Sequence, residues 1–150
     1  MKLSDFDYQL PKGLIAQYPS SKRGDERLLV LNRSDGSISH RHFADFIGYL
    51  KGGDALIMND AKVIKARLIG RKPEGDRQFE LLLLKKIGRG EFCTLMKPLS
   101  KLKVGDEIIF NRGTLKARVL SKDRVEFNSD SEEEIYKHGK IPLPPYIKRE

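Results

Sequence analysis

Apolar residues along the chain follow one pattern before residue 65 and another after it. In the first part, the apolar runs at 27–32 and 55–58 have the length and composition of strands that are buried on both faces. Between them, Asp35-Gly36 is a strong turn signal, so the residues from Ile38 to His42 are predicted to return as a second strand. The first part of the chain is therefore expected to contain buried strands.

A helix is predicted between the second and third of these strands. Phe43, Phe46, Ile47 and Leu50 recur at helical spacing, which indicates an amphipathic helix over 43–51. Gly52-Gly53 follows and is typical of a helix end. Strand, helix and strand in succession predict an α/β layer, in which ligand sites gather at the carboxyl ends of strands.

After residue 65 the pattern becomes one of short strands separated by turns. Clean alternation of apolar and polar residues at 115–119 and 124–127 is typical of half-buried strands. Turn sequences rich in Gly, Asp, Asn and Pro separate the segments. The predicted strands are 66–70, 78–86, 91–97, 107–111, 114–120 and 124–128. Many short strands without a helix between them predict a small antiparallel β-barrel.

A third segment begins near residue 130. Ser131 and Glu134 form a capping-box pattern, so a short helix is predicted over 131–138. The following segment has three prolines in four residues, at 142–145, which favours a rigid extended chain that leads to Tyr146. The fold class expected is an incomplete α/β domain with an inserted small antiparallel β-barrel. Its parts are 1–65 for the α/β domain, 66–129 for the barrel and 130–150 for the return to the α/β domain.

Composition narrows the class of protein. The chain has 150 residues, enough to bury a core, and no apolar run approaches the roughly 20 residues that cross a bilayer. The N-terminus lacks the apolar segment of a secretory signal, and Cys93 is the single cysteine, which is expected to be a buried hydrophobic residue. These features predict a cytoplasmic protein without a membrane partner.

Positive charge is concentrated in the middle of the chain. The net charge is +8, yet residues 1–60 contain 8 basic and 8 acidic residues, while 61–127 contain 17 basic and 8 acidic residues. Such asymmetry points to a polyanion such as nucleic acid, and the alternative is a well-solvated basic surface. The basic residues in and around the predicted barrel are Lys62, Lys65, Arg67, Arg71, Lys72, Lys97, Lys101, Lys103, Arg112, Lys116, Arg118, Lys122 and Arg124.

Few residues outside this basic segment are arranged for chemistry. Asn59-Asp60, at the end of the predicted strand 55–58, can bind a sugar hydroxyl or a cation or accept a proton, and the alternative is an ordinary turn. His40 and His42 lie on one face of a strand but lack a nearby third metal ligand, so no metal site is predicted. The chain has neither a phosphate-binding glycine loop nor a nucleophile elbow.

Six blocks spread over the chain resemble one enzyme family. They are Asp5-Phe6-Asp7-Tyr8 with Leu10-Pro11, Leu14-Ile15-Ala16-Gln17-Tyr18-Pro19, Arg27-Leu28-Leu29-Val30-Leu31, His40-Arg41-His42-Phe43, Asn59-Asp60 with the segment to Leu68, and Pro142-Leu143-Pro144-Pro145-Tyr146-Ile147. In this order they resemble the S-adenosylmethionine:tRNA ribosyltransferase-isomerases of queuosine biosynthesis. The resemblance covers only the N-terminal part of such enzymes, so this chain alone is expected to be an incomplete, inactive segment.

The resemblance implies a fold and a reaction. The fold is an α/β domain with an inserted β-barrel. In the reaction, the ribosyl part of S-adenosylmethionine is transferred to 7-aminomethyl-7-deazaguanine at the wobble position of tRNA and isomerised, which gives epoxyqueuosine. Where the family has a hydroxyl residue, an arginine and a proline, this chain has Ala61, Lys62 and Lys65.

For that reaction, the chemistry of individual residues and their positions in the chain suggest roles. Asp60 and Asn59 are the candidate catalytic residues. The candidates for binding substrate groups are Arg27, Arg67 and Tyr146, since arginines hold phosphate or carboxylate and a tyrosine stacks on a base. The candidates for tRNA contact are Lys116, Arg118 and Lys62. The expected partners are tRNA and S-adenosylmethionine, which is a substrate, so no cofactor is expected. The alternative is a stand-alone basic β-barrel that binds RNA without catalysis.

Overall fold

The chain divides into two compact units in a computed structural model that describes residues 1–148. The first unit contains Met1–Asp60 and the residues from Pro144 onward, and the second contains Ala61–Leu143. Among residues 1–148, no helix has both the length and the apolar composition that a bilayer-crossing segment needs.

The sheet of the first unit is a two-stranded antiparallel hairpin. Strands β1 (Arg27–Leu31) and β2 (Ile38–His42) pair along their whole length, with Leu29 opposite His40. Gly36 has a φ of 72°, and its N–H donates to the carbonyl oxygen of Asn32 at 2.8 Å, so glycine is favoured at this turn. The structure confirms the two strands and the turn, but the burial predicted for β1 is wrong, since its residues alternate between exposed and half-buried.

Two other predictions for this unit differ from the structure. The amphipathic helix predicted over 43–51 is present as a shorter 3₁₀-helix, Phe43–Tyr49, in which the rings of Phe43 and Phe46 stack with their centroids 5.8 Å apart. Side chains three positions apart eclipse in a 3₁₀-helix, so the apolar spacing fits this tighter helix as well. Two further 3₁₀-helices, Leu3–Phe6 and Lys12–Leu14, precede the hairpin.

The run at 55–58 is not a strand. Its backbone is irregular, and Ile57 is 94% exposed. An apolar run becomes a strand only when a neighbouring strand pairs with its N–H and C=O groups, and no described residue does so here. None of the described residues of the first unit is buried, so this unit has no core of its own.

The second unit is a closed six-stranded antiparallel barrel, as predicted. Its strands are β3 (Arg67–Arg71), β4 (Gln78–Lys86), β5 (Glu91–Lys97), β6 (Glu107–Phe110), β7 (Leu115–Ser121) and β8 (Arg124–Phe127). They close in the order β3-β4-β5-β8-β7-β6. Side chains alternate between inward and outward positions, and the inward ones fill the interior. Because the barrel is closed, its sheet has no free edge.

The inward residues form one core. It includes Leu68, Leu81, Phe92, Ile108 and Val125, and the ring of Phe92 meets that of Phe127 edge to face at 5.6 Å. Gly70 is also inside the barrel. A Cβ at Gly70 would lie 2.7 Å from Cγ2 of Ile108 and from Cδ1 of Phe110, so only glycine fits where β3 meets β6.

The segment after the barrel packs against it. Helix α1 (Glu132–Lys137) begins at Ser131, whose hydroxyl accepts a hydrogen bond from the N–H of Glu134 at 3.3 Å, as the capping pattern predicted. Ile135 of α1 is fully buried in the barrel core. Lys140 then bridges to Arg67 through two backbone hydrogen bonds of 3.0 and 2.7 Å.

These contacts bear on where the chain returns to the first unit. The sequence predicts that return from residue 130, whereas the structure groups 130–143 with the barrel. The reason is physical, because Ile135 completes the barrel core and Lys140 pairs with the first barrel strand. The division of the family's domains stays a prediction.

Candidate substrate site and RNA-binding surface

The two candidate catalytic residues, Asn59 and Asp60, lie on irregular backbone and are exposed. The sequence predicts a buried strand directly before them, but residues 55–58 form irregular, exposed backbone, so strand geometry does not support a site here. The exposed carboxylate of Asp60 is accessible to a cationic ligand. The role proposed for Asp60 therefore depends on the chemistry of its carboxylate and not on a position at the end of a strand.

Arg27, the first residue of β1, is also exposed and lies opposite His42 in the hairpin. His42 has a local structural explanation. Its Nδ1 lies 3.3 Å from the carbonyl oxygen of Asp25, and its backbone N–H donates to the carboxylate of Asp45 at 3.0 Å. Within residues 1–148 no group of three or more His, Cys, Asp or Glu side chains is arranged to hold a metal ion.

Tyr146 is held by a residue that we did not select from the sequence. Nε2 of Gln17 donates to the carbonyl oxygen of Tyr146 at 3.1 Å, and Oε1 of Gln17 accepts from the N–H of Lys148 at 2.7 Å. One side-chain amide thus pairs with the backbone on both sides of Ile147. The phenol ring of Tyr146 remains 57% exposed, so it is available for stacking.

Arg67, the third candidate substrate-binding residue, belongs to the barrel. Its guanidinium Nη2 lies 2.6 Å from Oε2 of Glu80 on the neighbouring strand, and about a third of each side chain is exposed. A phosphate or carboxylate that binds Arg67 has to compete with this ion pair. Arg67 is therefore occupied within the barrel rather than presented to a ligand.

The candidate tRNA contacts on β7 point outward, as alternation predicted. Lys116 and Arg118 are exposed, whereas Leu115, Ala117 and Val119 between and beside them are buried. However, Nζ of Lys116 lies 3.2 Å from Oε1 of Glu107. The positive charge of this strand is therefore partly balanced on the barrel itself.

Arg118 has acidic neighbours on both sides. In the strand register it lies opposite Glu107 of β6 and opposite Glu126 of β8. Opposite charges at directly paired positions attract each other, and a phosphate approaching Arg118 meets two carboxylates. Lys62, the remaining candidate, is exposed and precedes the barrel.

At one end of the barrel, an ion pair connects two loops. Nζ of Lys72 lies 2.5 Å from Oδ2 of Asp106 and 5.8 Å from the centre of the Phe79 ring. The same carboxylate accepts the backbone N–H of Lys103 at 2.7 Å. The hydrogen bond from Lys72, followed by that from the Lys103 backbone, lowers the pKa of Asp106. The carboxylate therefore joins the loop after β3 to the loop after β5.

This lowered pKa predicts a pH-dependent contribution to stability. Asp106→Asn is expected to reduce the free energy of unfolding by about 1–2 kcal/mol near pH 7, because two hydrogen bonds to a charged group weaken. A lowered folded-state pKa stabilises the fold above the unfolded-state pKa, and this stabilisation disappears as pH falls through the folded-state value. The difference between the two proteins should therefore shrink in acid, as measured by urea unfolding across that pH range.

The control is Asp76→Asn, at an exposed carboxylate of the same barrel end that makes no ion pair within the described residues. It is expected to change stability by less than about 0.5 kcal/mol at any pH. A difference between the Asp106 variant and the unsubstituted chain that persists unchanged in acid would contradict the assignment.

Comparison with known proteins identifies the family. The family described as "Queuosine biosynthesis protein" matches residues 3–150. The chain belongs to the queuosine biosynthesis protein family. This agrees with the resemblance that the six sequence blocks indicated. It also agrees with the barrel, since a barrel inserted in an α/β domain was the fold expected for that family.

Family members with this similarity are curated as S-adenosylmethionine:tRNA ribosyltransferase-isomerase. Those of Sulfurihydrogenibium sp. (strain YO3AOP1) and Thermosipho africanus are each 48% identical over 100% of this chain, which covers 46% and 45% of their lengths. That of Staphylococcus haemolyticus is 41% identical over 99% of the chain and 46% of its length. The chain therefore spans less than half the length of these relatives.

A solved structure of a family member is also similar. The crystal structure of S-adenosylmethionine tRNA ribosyltransferase from Thermotoga maritima is 37% identical, with a TM-score of 0.45. The match covers 91% of this chain and 48% of that one.

The eight site residues predicted from the sequence are divided between the two units. Asn59, Asp60, Arg27 and Tyr146 lie in the first unit, and Lys62, Arg67, Lys116 and Arg118 lie in the second. Within the first unit, the structure adds Gln17 as the residue that holds Tyr146. Gln17 is part of one of the six family blocks, which is the only sequence signal that could have singled it out.

Proposed function

We propose that this chain supplies the N-terminal part of a tRNA-modifying ribosyltransferase-isomerase. The reaction transfers the ribosyl moiety of S-adenosylmethionine to 7-aminomethyl-7-deazaguanine at the wobble position of tRNA and isomerises it to epoxyqueuosine. Adenine and methionine leave. The observation that supports this proposal is the 48% identity, over the whole chain, to relatives curated as S-adenosylmethionine:tRNA ribosyltransferase-isomerase.

Asp60 is the proposed contact for the cationic sulfonium and the candidate base. A sulfonium acidifies the C–H groups next to it, so a carboxylate at this point can both attract the cation and accept a proton. Asn59 beside it is proposed to hydrogen-bond a ribose hydroxyl. Arg27 is proposed to bind the methionine carboxylate, because the guanidinium fork matches a carboxylate.

The binding of S-adenosylmethionine provides the test. A ligand that binds only the folded protein stabilises it, by about 1.4 kcal/mol when its concentration is ten times Kd. S-adenosylmethionine is therefore expected to raise the melting temperature of the chain. Asp60→Asn should reduce this rise, whereas Asp7→Asn, which removes the same charge at another exposed position of the first unit, should not.

A second assay measures adenine released from S-adenosylmethionine in the presence of precursor tRNA. We expect no release by this chain alone, because it spans less than half the length of its active relatives. Release of adenine would overturn that expectation. If S-adenosylmethionine leaves the melting temperature of the unsubstituted chain unchanged, the proposed role in binding this substrate is wrong.

The alternative function is RNA binding without catalysis. The second unit, Ala61–Leu143, contains 19 basic and 12 acidic residues, a charge that favours a polyanionic partner. This alternative predicts tRNA affinity that falls steeply with salt, together with no effect of S-adenosylmethionine. The two assays above therefore separate it from the enzymatic proposal.

A further inference from the structure

One end of the barrel presents basic loops that are distinct from the strand face we selected from the sequence. The loops 72–77, 98–106 and 122–123 follow β3, β5 and β7, which run in the same direction, so all three lie at one end. The chain enters and leaves the barrel at the other end, before β3 and after β8. We call these three loops, with the strand ends Arg71 and Lys97, the distal loops.

The distal loops carry an excess of available positive charge. Their acidic residues are Glu74, Asp76, Asp106 and Asp123, and their basic residues are Arg71, Lys72, Arg77, Lys97, Lys101, Lys103 and Lys122. Within the described residues, only Lys72 of these seven cations forms an ion pair within 4 Å. The other six are exposed to solvent.

The middle of the barrel differs in this respect. Of its five outward cations, three form ion pairs: Arg67 with Glu80, Lys116 with Glu107 and Arg124 with Glu91. The other two are Arg118, which lies opposite two glutamates, and Lys85, which is exposed and forms no ion pair within the described residues.

The end where the chain leaves the barrel is acidic in part. Asp130 and the first turn of α1, with Glu132, Glu133 and Glu134, lie there. This end also carries cations, but three of its four carboxylates pair with Lys86, Arg89 and Lys137, so a polyanion that approaches this end meets a group of acidic residues beside those cations.

A cleft in the distal loops brings two of the free cations to one place. It has a volume of about 260 Å³ and is lined by Lys72, Glu74, Gly75, Arg77, Phe79 and Lys101. Lys72 forms one side of the cleft, where it pairs with Asp106 and lies over the buried Phe79 ring. Arg77 and Lys101, from two different loops, remain available to an anion.

We propose that the distal loops, with Arg77 and Lys101 at their cleft, are the surface through which the barrel contacts the phosphate backbone of tRNA. The assignment rests on the proposed tRNA-dependent function and locates its RNA contact. It differs from the assignment of Lys116, which pairs with Glu107, and of Arg118, which lies opposite two glutamates. Backbone contacts of this kind position an RNA without reading its sequence.

Two matched double variants test the proposal. Arg77→Gln with Lys101→Gln and Lys116→Gln with Arg118→Gln each remove one arginine and one lysine, so the net charge of the protein changes equally. The measurement is fluorescence anisotropy of a labelled, unmodified tRNA transcript at several salt concentrations. Circular dichroism and melting temperature establish that each variant is folded.

The distal variant is expected to weaken tRNA binding about tenfold at low salt, and its log Kd against log salt should be less steep by about 1.5–2. The strand variant is expected to change Kd by less than about threefold, because Lys116 pairs with Glu107 and Arg118 lies between two glutamates. An equal loss in both variants, or a larger loss in the strand variant, would overturn this assignment alone. A failure of the unsubstituted chain to bind tRNA would overturn the tRNA-binding function and this assignment together.

Discussion

Leu81→Ala is expected to lower the free energy of unfolding of the barrel by about 2–5 kcal/mol, whereas Leu84→Ala on the same strand should cost less than about 0.5 kcal/mol. Both substitutions remove the same atoms from β4. Leu81 is 0% exposed and points into the closed core, so its removal leaves a cavity. Leu84 is 58% exposed and points outward.

Urea unfolding monitored by circular dichroism measures both values, and the chain contains no tryptophan that would allow a fluorescence alternative. The midpoint should shift for Leu81→Ala while the slope of the transition stays constant, which indicates a change in stability rather than in compactness. Similar losses at the two positions would show that the side chains do not alternate between a packed interior and solvent, and the closed barrel would then be wrong.

Gly70→Ala should be the second most disruptive change, with a cost of about 1–3 kcal/mol or more. The added Cβ would lie 2.7 Å from two side-chain atoms and from the carbonyl oxygen of Ile109, closer than such atoms approach each other. Because Ile109 belongs to β6, relief requires β3 and β6 to separate. These are the strands at which the barrel closes.

Gly75→Ala provides the matched control in the same unit. No heavy atom lies within 4 Å of the Cβ that it would add, and its φ lies outside the left-handed region. This change is expected to be neutral or to stabilise the protein by up to about 1 kcal/mol, because alanine restricts the unfolded chain. The melting temperatures of the two variants, measured by calorimetry, compare their stabilities. A Gly70 variant as stable as the Gly75 variant would contradict the close packing of β3 on β6.

The barrel could be predicted from the sequence because its signals are local. Alternation along β7 and β8 sets which side chains face inward, and Gly105-Asp106 and Asn111-Arg112-Gly113 mark turns that end strands. The run at 55–58 carried an equally clear apolar signal, yet it is not a strand. A strand also requires a partner, and partners are set by distant parts of the chain rather than by the run itself.

The candidate site was less accessible to sequence reasoning. Gln17 and Tyr146 are separated by 129 positions, and their hydrogen bond is visible only after folding. The outward direction of Lys116 followed from alternation, but its pairing with Glu107 depends on how β6 and β7 are aligned. Charge alone therefore predicted a basic barrel without predicting which of its cations remain available.

The two hydrogen bonds between Arg67 and Lys140 determine which residues a fragment that contains the barrel must include. In the strand register, β3 and β6 are paired only through Arg71 and Ile109, so the other end of this seam is closed by Lys140. A fragment of residues 66–129 would lack the pairing of Arg67 with Lys140 and the packing of Ile135 in the barrel core. A fragment of residues 61–143 retains both contacts and is expected to fold on its own.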